Sequence, residues 1–573
     1  MTAGAWTPRV RPRRRARRVR APGGTRMRRL RIGILDLVAR GPTRAWFARV
    51  MNANLASIMP QAVGVWCREE GHDVTFVCYT GSEDVLRVLP ADADLVFLSA
   101  YSETAQAAYA LSALLRSRGA VTALGGPHAR CYPDDARRYF DYVLGFTDRA
   151  VLRDVLQDCS RHRPVGQHLS ARQHPAALPG VRDRWQFIQG ALSKATVIKI
   201  VPMIGSLGCP YTCEFCIDAA VPYQTMDFGG LQQDLRFLQT KFRRPWVSWH
   251  DPNFGVRFDD YLGAIEEAVP PGRVRFIAES SLSLLSEAHL RRMGRNGFMA
   301  LAPGIESWFD LGAKSKSGAR QGMDKVRQVS EHVNLILRHV PYVQTNFVLG
   351  LDADQGAEPF ELTKRFLDLT PGAFPGYSLL TAFGQAASLN LEYQRAGRVL
   401  PFPFHFLNNN QAMNVRPKHY SWPDFYDRVI DLVAYSFSWR SLFRRFQGTA
   451  GVAPRLMNLL RAVSTEGFGR LRYHQEVRRR LDADREFRPY FEQETTELPR
   501  FYVDLVRKDL GPLWRWLPQG ALHHDPNAYL QLDRHPLPSA GLVGFAPAPA
   551  ADPSRDRSKR RAQAPAAPVR LEI

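Results

Sequence analysis

The chain has 573 residues, a formal net charge of +22 and a hydrophobic fraction of 45%. That length predicts several domains with a sizeable core, and no apolar run approaches the roughly 18 residues that a membrane span needs. The charge suggests nucleic acid, but residues 1–31 alone carry twelve arginines and no acid, which leaves +10 for the rest of the chain.

The leader, 1–29, holds Arg11-Pro12-Arg13-Arg14-Arg15-Ala16-Arg17-Arg18 and no apolar segment, so it is not read as a secretory signal. A block of like charge predicts disorder. It is read as an artefact of start-codon choice, with Met27 as the start, in preference to an interaction arm. Cys67, Cys78, Cys131 and Cys159 are scattered, mostly in apolar contexts. With no signal peptide, a reducing cytoplasm is the expected location.

Residues 30–160 predict a doubly wound parallel sheet. Short apolar runs at Leu30–Val38, Val74–Tyr79, Asp94–Ser99, Val121–Gly126 and Tyr142–Gly145 alternate with helical stretches. Ligands of such sheets sit at the carboxyl ends of the strands, which here carry Ser99, Tyr101, Ser102 and then Gly125-Gly126-Pro127-His128. Residues 161–195, rich in Pro, His and Arg, read as a linker crossing the surface.

Residues 196–389 repeat a strand-helix alternation six times. The predicted strands are Thr196–Val201, Trp246–Trp249, Val274–Ala278, Phe298–Ala302, Tyr342–Leu349 and Tyr377–Thr381. Polar residues recur after them: Asp251 and Asn253, Glu279, then Glu306. In a parallel β/α barrel that face holds the active site.

After the first of these strands comes Gly208-Cys209-Pro210-Tyr211-Thr212-Cys213-Glu214-Phe215-Cys216. Three thiolates at C-x3-C-x2-C spacing can converge on one cubane iron–sulfur cluster, which leaves one iron free of protein ligands. Zinc sites usually pair C-x2-4-C units with a second pair or with histidines, and none follows here.

This loop, with Phe215 before its last cysteine and Ser206-Leu207-Gly208-Cys209-Pro210 leading in, resembles the signature of the radical S-adenosylmethionine (SAM) superfamily. Leu207 replaces an arginine usual there. Gly304-Ile305-Glu306-Ser307 and Asp251-Pro252-Asn253-Phe254 resemble further motifs of that family. The resemblance covers roughly residues 196–385 and implies a partial six-fold barrel open on one side. It implies that Cys209, Cys213 and Cys216 hold a [4Fe-4S] cluster whose open iron chelates SAM. One electron then cleaves SAM to methionine and a 5′-deoxyadenosyl radical. Phe215 would lie against adenine. Glu279, Glu306 and Asn346, each expected at a strand end, become candidates for SAM's amino group or ribose, because carboxylates and amides accept hydrogen bonds from such groups. Asp251 and Asn253 become candidates for SAM or substrate.

The sheet region resembles a cobalamin-binding domain ahead of such a barrel. Ser99-Ala100-Tyr101 stands in the place of that family's S-x-L motif, and Gly125-Gly126 in that of its glycine pair. Asn52-Ala53-Asn54-Leu55-Ala56-Ser57 occupies the D-x-H-x-x-G slot with every defining residue replaced. Asn54 stands where a histidine would ligate cobalt, and an amide is a far poorer ligand. Cobalamin is therefore expected without a histidine on its lower face. Gly145-Phe146-Thr147-Asp148 departs from the Gly-Glu-Gly-Glu usual after the fifth strand.

Residues 390–533 predict a mainly helical, basic and aromatic region. A stripe from Arg428 through Phe437, Trp439, Leu442, Phe443 and Phe446 has helical spacing. Such a stripe most often faces a core, so packing over the open side of the barrel is expected in preference to a membrane-surface helix. Residues 534–573, Ala/Pro/Arg-rich, predict a disordered tail.

The resemblance implies a cobalamin-dependent radical SAM enzyme that methylates carbon in a small-molecule substrate. Alternatives are a radical SAM cyclase, oxidase or rearrangement enzyme without methyl transfer, an RNA-modifying methylthiotransferase, and a non-catalytic electron relay. The expected partners are the substrate and an external one-electron reductant of flavodoxin or ferredoxin type; nucleic acid and membrane are not expected.

Overall fold

Arg31–Leu37 forms the first strand, β1, and every residue after Arg31 in it is buried, as a strand covered on both faces requires. The computed structural model describes residues 28–41, 52–159, 166–195, 198–219 and 221–528. The expectations for most of the leader, for the tail and for Thr196-Val197 fall outside these residues.

β2 (Asp73–Tyr79), β3 (Leu95–Ser99), β4 (Val121–Gly125), β5 (Tyr142–Leu144) and β6 (Gln167–Leu169) complete a parallel sheet of order β2-β1-β3-β4-β5-β6. The order reverses between β2-β1 and β1-β3. Ligand crevices form at such a switch point, outside the carboxyl ends of the strands. Helix α1 (Ile58–Glu69) buries Trp66 in the core cluster that also holds Phe97 and Tyr142. Burial of one such side chain stabilises by roughly 1.5–3 kcal/mol.

The stretch expected to be a linker is in part structured. Gln167–Leu169 adds β6 to the sheet edge, and Val181–Leu192 forms helix α4, whose Phe187, Ile188, Ala191 and Leu192 are buried. (α2, Ala105–Ser117, and α3, Pro127–Cys131, precede it.) Gly64 of α1 permits the close approach of α4, since a Cβ there would stand 2.9 Å from the Phe187 ring. Arg184 adds a buried 2.7 Å hydrogen bond to Gln61 Oε1.

The second sheet contains β7 (Ile200–Met203), β8 (Trp246–Trp249), β9 (Arg275–Ser281), β10 (Phe298–Glu306), β11 (Tyr342–Leu349) and β12 (Phe374–Leu379). All neighbours pair in parallel, in the order β12-β11-β10-β9-β8-β7. This is the six-stranded open barrel expected from the sequence, with β7 and β12 at its two edges. The helices between strands are α5 (Phe228–Lys241), α6 (Phe258–Ala268), α7 (Glu287–Asn296), α8 (Gly322–His339) and α9 (Glu358–Leu369).

The C-terminal region is helical: α10 (Trp422–Ser436), α11 (Trp439–Gly448), α12 (Val452–Val463) and α13 (Phe468–Ala483) lead it. α10 packs inward, burying Trp422, Phe425, Tyr426, Val429, Leu432 and Val433, and Ser436 Oγ meets Tyr377 OH of edge strand β12 at 2.6 Å. The expected packing of the aromatic stripe stops there. Ser438 caps a new helix, α11, by accepting a hydrogen bond from Ser441 N. Its buried residue is Arg445, held by the Ala373 and Ser436 carbonyls at 3.1 Å each, while Trp439, Phe443 and Phe446 face outward.

Candidate active site

The cysteine loop leaves β7 through Ser206-Leu207, which pairs antiparallel with Gln224-Thr225. Gly208 has φ +72, and a Cβ there would lie 2.3 Å from the Pro222 carbonyl oxygen, so only glycine fits this turn. Asp251, just past β8, clamps the loop: it is 3% exposed and accepts from Gly205 N at 3.0 Å, from Ser206 Oγ at 2.7 Å and from Tyr261 OH. Burial raises its carboxyl, and these donors pull it back. Asp251 is thus committed to the protein rather than free to face a ligand.

Cys213 is buried, and Cys209 and Cys216 are half-buried. Burial pushes the Cys216 thiol up to about 11 and also raises Cys213, with Lys314 acting in the opposite direction on both. Asn253 Nδ2 donates to Cys209 Sγ at 3.9 Å, and Asp218 N donates to Cys216 Sγ at 3.5 Å. Donors of this kind stabilise cluster sulfurs. Among the described residues, no group of three His, Cys, Asp or Glu closes around a single metal ion. Three thiols on one loop with amide donors behind them suit the corners of a cubane, which is wider than one ion.

Asn253 is also tied to Ser281 at the end of β9, accepting from Ser281 N at 2.9 Å and donating to Ser281 Oγ at 3.0 Å. Glu279 lies inside β9, two residues before its end. It is solvent-accessible, yet desolvation raises its carboxyl, because the space it faces is the inside of the barrel. Glu306 ends β10 in a left-handed conformation, φ 65, where the register with β11 slips. Its carboxylate is paired with Lys314. A Cβ on Gly304 would stand 2.1 Å from Glu306 Oε1 and 2.9 Å from Lys314 Nζ, so a side chain there would displace this ion pair.

Lys314 is the residue that sequence reasoning missed. Burial works against its charge, but Glu306, Cys213 and Cys216 outweigh that and raise the ammonium above its usual value. It therefore remains a cation between the carboxylate pair and the cysteine loop. Asn346 lies three residues short of the end of β11, not at it, and accepts from Gln344 Nε2 at 2.6 Å, while Gln344 Oε1 accepts from Arg461 at 2.7 Å.

At the sheet edge, a cavity of about 250 Å³ opens between Ser99, Tyr101, Gly125 and Gly126 on one side and Gly208 and His250 on the other. Gly126 has φ +93, and a Cβ there would lie 2.8 Å from the Ala100 carbonyl oxygen; a Cβ on Gly125 would meet nothing within 4 Å. The glycine pair thus leaves bare backbone facing the crevice, which lets a ligand approach the main chain closely. Asn54 does not line this cavity. It is 5% exposed and its Oδ1 accepts from Ile200 N at 3.0 Å, tying the sheet region to the first barrel strand. Expected beneath cobalt, it serves as a junction residue, because its carbonyl satisfies a buried backbone donor. His174 and His250 line the cavity as imidazoles that burial lowers to about 4.

A second cavity, about 410 Å³, is lined by Tyr101, Phe215, Cys216, Glu306, Thr381 and Asn409, with Pro127 at its border. α3 joins the two spaces. Its Arg130 donates to the Ile217 carbonyl at 2.8 Å and to Asp218 Oδ1 at 3.2 Å, just after the third cysteine. Gln385 Nε2 donates to the Arg130 carbonyl at 3.2 Å, and Tyr132 OH to the Ala382 carbonyl at 2.9 Å.

An open parallel barrel thus carries this cysteine loop after its first strand, and the carboxyl edge of the N-terminal sheet faces the loop. The cobalamin-dependent SAM radical enzyme OxsB, solved with aqua-cobalamin bound, has the same fold: it superimposes with a TM-score of 0.52 at 11% identity, over 88% of this chain and 84% of that one. Two curated proteins of Chlorobaculum tepidum are also similar. Bacteriochlorophyllide d C-12(1)-methyltransferase is 23% identical over 320 residues, covering 54% of this chain and 68% of that protein. Bacteriochlorophyllide d C-8(2)-methyltransferase is 25% identical over 189 residues, 29% of this chain and only 39% of that relative's length. No protein-family model matches the chain.

Proposed function

We propose that the protein is an enzyme that transfers a methyl group to a carbon atom of a small-molecule substrate, with a cobalamin at the sheet edge and a cluster-bound SAM in the barrel. The observation that carries this reading is the wall shared by the two cavities: Tyr101 and Pro127 line both. Two cofactors must approach one substrate, and a common wall supports that approach.

When bound, the cluster with SAM would supply a radical that abstracts hydrogen from carbon, and the cobalamin a methyl group. The chain's own residues do the rest. Cys209, Cys213 and Cys216 would hold the cluster, with Asn253 steadying Cys209. Glu279, Glu306 and Lys314 would meet the charged amino-acid end of SAM, and Phe215 its adenine. Ser99, Gly125 and Gly126 would present backbone and hydroxyl groups to the cobalamin. Asp251, Asn54 and Asn346 would act through the backbone and side chains that they hold in place. The buried walls would keep water from the reacting carbon. The division into a sheet domain, 30–160, a barrel, 196–389, and a helical region, 390–533, belongs to the same reading, as do a cytoplasmic location and a flavodoxin- or ferredoxin-type reductant.

The names of the curated relatives make bacteriochlorophyllide d the first substrate to test. Anaerobic protein, reconstituted with iron, sulfide and hydroxocobalamin and supplied with dithionite as the one-electron reductant, should convert SAM to both 5′-deoxyadenosine and S-adenosylhomocysteine and yield a methylated product. Formation of 5′-deoxyadenosine with no S-adenosylhomocysteine on any substrate would point to radical chemistry without methyl transfer. Cys213→Ala should abolish both products.

A further inference from the structure

α11 and α12 present an apolar face to solvent. Trp439 and Val452 are 80% exposed, Phe443 62%, Val463 55%, Leu456 53% and Phe446 48%. Isolated exposed apolar residues are ordinary, but contiguous ones on two packed helices mark a docking surface. No described residue covers them.

The charge of this hairpin selects the occupant. Residues 439–463 contain five arginines and no acidic residue. Arg444 is paired with Asp368 and Arg461 with Glu466, and Arg445 is buried on backbone carbonyls. Arg440 is exposed beside Trp439, and Arg455 lies over the Phe446 ring at 5.0 Å while donating to the Thr449 carbonyl. Exposed tryptophan, phenylalanine and branched aliphatics with arginine at the rim are the composition of an interfacial amphipathic helix, whose apolar side enters the headgroup boundary while guanidinium groups meet lipid phosphate. Among the described residues, no helix is long and apolar enough to cross a membrane, so contact of this kind would be confined to the surface.

We propose that the α11–α12 hairpin docks the protein on an anionic lipid surface. The hairpin is held to the barrel side by Arg444 on Asp368, Arg445 on the Ala373 carbonyl and Arg461 on Tyr342 OH, so docking would orient the whole barrel. This inference does not depend on the reaction proposed above.

The test is flotation of the full chain with phosphatidylcholine/phosphatidylglycerol vesicles and with phosphatidylcholine alone. Wild type should float with the anionic vesicles. The triple variant Trp439→Ser/Phe443→Ser/Leu456→Ser should bind them about tenfold or more weakly with an unchanged melting temperature, and Arg440→Glu should weaken binding in the same direction. Because every variant retains the arginine-rich leader, the difference reports the hairpin alone. Equal flotation of wild type and triple variant overturns the proposal. So does a wild type that does not float, including one whose sedimentation shows a dimer that the triple variant breaks, which would make a second copy the occupant.

Discussion

Asp251 accepts a 2.7 Å hydrogen bond from Ser206 Oγ, so the strand next to the cysteine loop, not the loop itself, sets where the loop begins. Asp251→Ala leaves the Tyr261 and Ser206 hydroxyls and the Gly205 amide without their acceptor. Its stability cost should be about 2–4 kcal/mol, since buried donors lose their partner. Iron bound per chain after reconstitution should fall several-fold, which iron analysis and visible absorbance will show. Unchanged iron content would remove Asp251 from any role in presenting the cysteines.

Lys314 carries the positive charge nearest the carboxylate pair. Lys314→Met should leave the iron content near that of wild type but weaken SAM binding by about tenfold or more, because a charge-assisted contact is lost and Glu306 is left unpaired. Equilibrium binding of SAM to the reconstituted protein measures this directly. An unaltered affinity would confine Lys314 to holding Glu306.

Asn54→His should not restore a cobalt-ligating imidazole, because position 54 faces the Ile200 amide and not the sheet-edge cavity. The variant should lose about 1–2 kcal/mol of stability through the broken junction bond. Its bound Co(II) cobalamin, observed by electron paramagnetic resonance, should show the same axial coordination as wild type. New nitrogen hyperfine splitting in the variant would contradict this placement.

Gly126→Ala puts a Cβ against the Ala100 carbonyl in a backbone region that side chains avoid. The expected cost is about 2–3 kcal/mol, with reduced cobalamin retention on gel filtration. Gly125→Ala, where the added carbon meets nothing within 4 Å, should cost far less stability while still narrowing the cavity.

Burial raises the Asp354 carboxyl to about 7, against the hydrogen bonds it accepts from the Gly350 and Leu351 amides. The folded state therefore prefers the neutral acid. Its contribution is fully present below the ordinary carboxylate range near 4 and is lost as pH rises through about 7. At about 1.4 kcal/mol per unit this amounts to roughly 4 kcal/mol. Asp36, raised to about 6 by burial, acts in the same direction over a narrower window. Thermal melts from pH 4 to 8 should show Asp354→Asn flattening the decline seen in wild type.

What could be read in the sequence was local. The cysteine loop, the glycine pair and most strand positions rest on spacing and hydrophobic runs that neighbouring residues supply, and they reappear at nearly the same numbers. The limits of β9 and β10 moved, because pairing with both neighbours extends a strand past its apolar run; this draws Glu279 and Glu306 into the strands themselves. Lys314 has no motif, since its place depends on how the turn after β10 folds back. Asn54 could not be assigned from its slot, as its partner lies 146 residues away. The aromatic stripe was continuous in spacing, but beyond the capped break at Ser438 its second half faces outward, and no periodicity within either helix records that break.

α3 has five residues, yet it and the tyrosine after it touch the sheet edge, the cysteine loop and the segment that follows the last barrel strand. Gene fusions that exchange the N-terminal portion for another would therefore have to transplant Arg130, Tyr132 and their acceptors together. A chimera joined anywhere between residues 125 and 217 without them should assemble both halves and still fail to bring their ligands face to face.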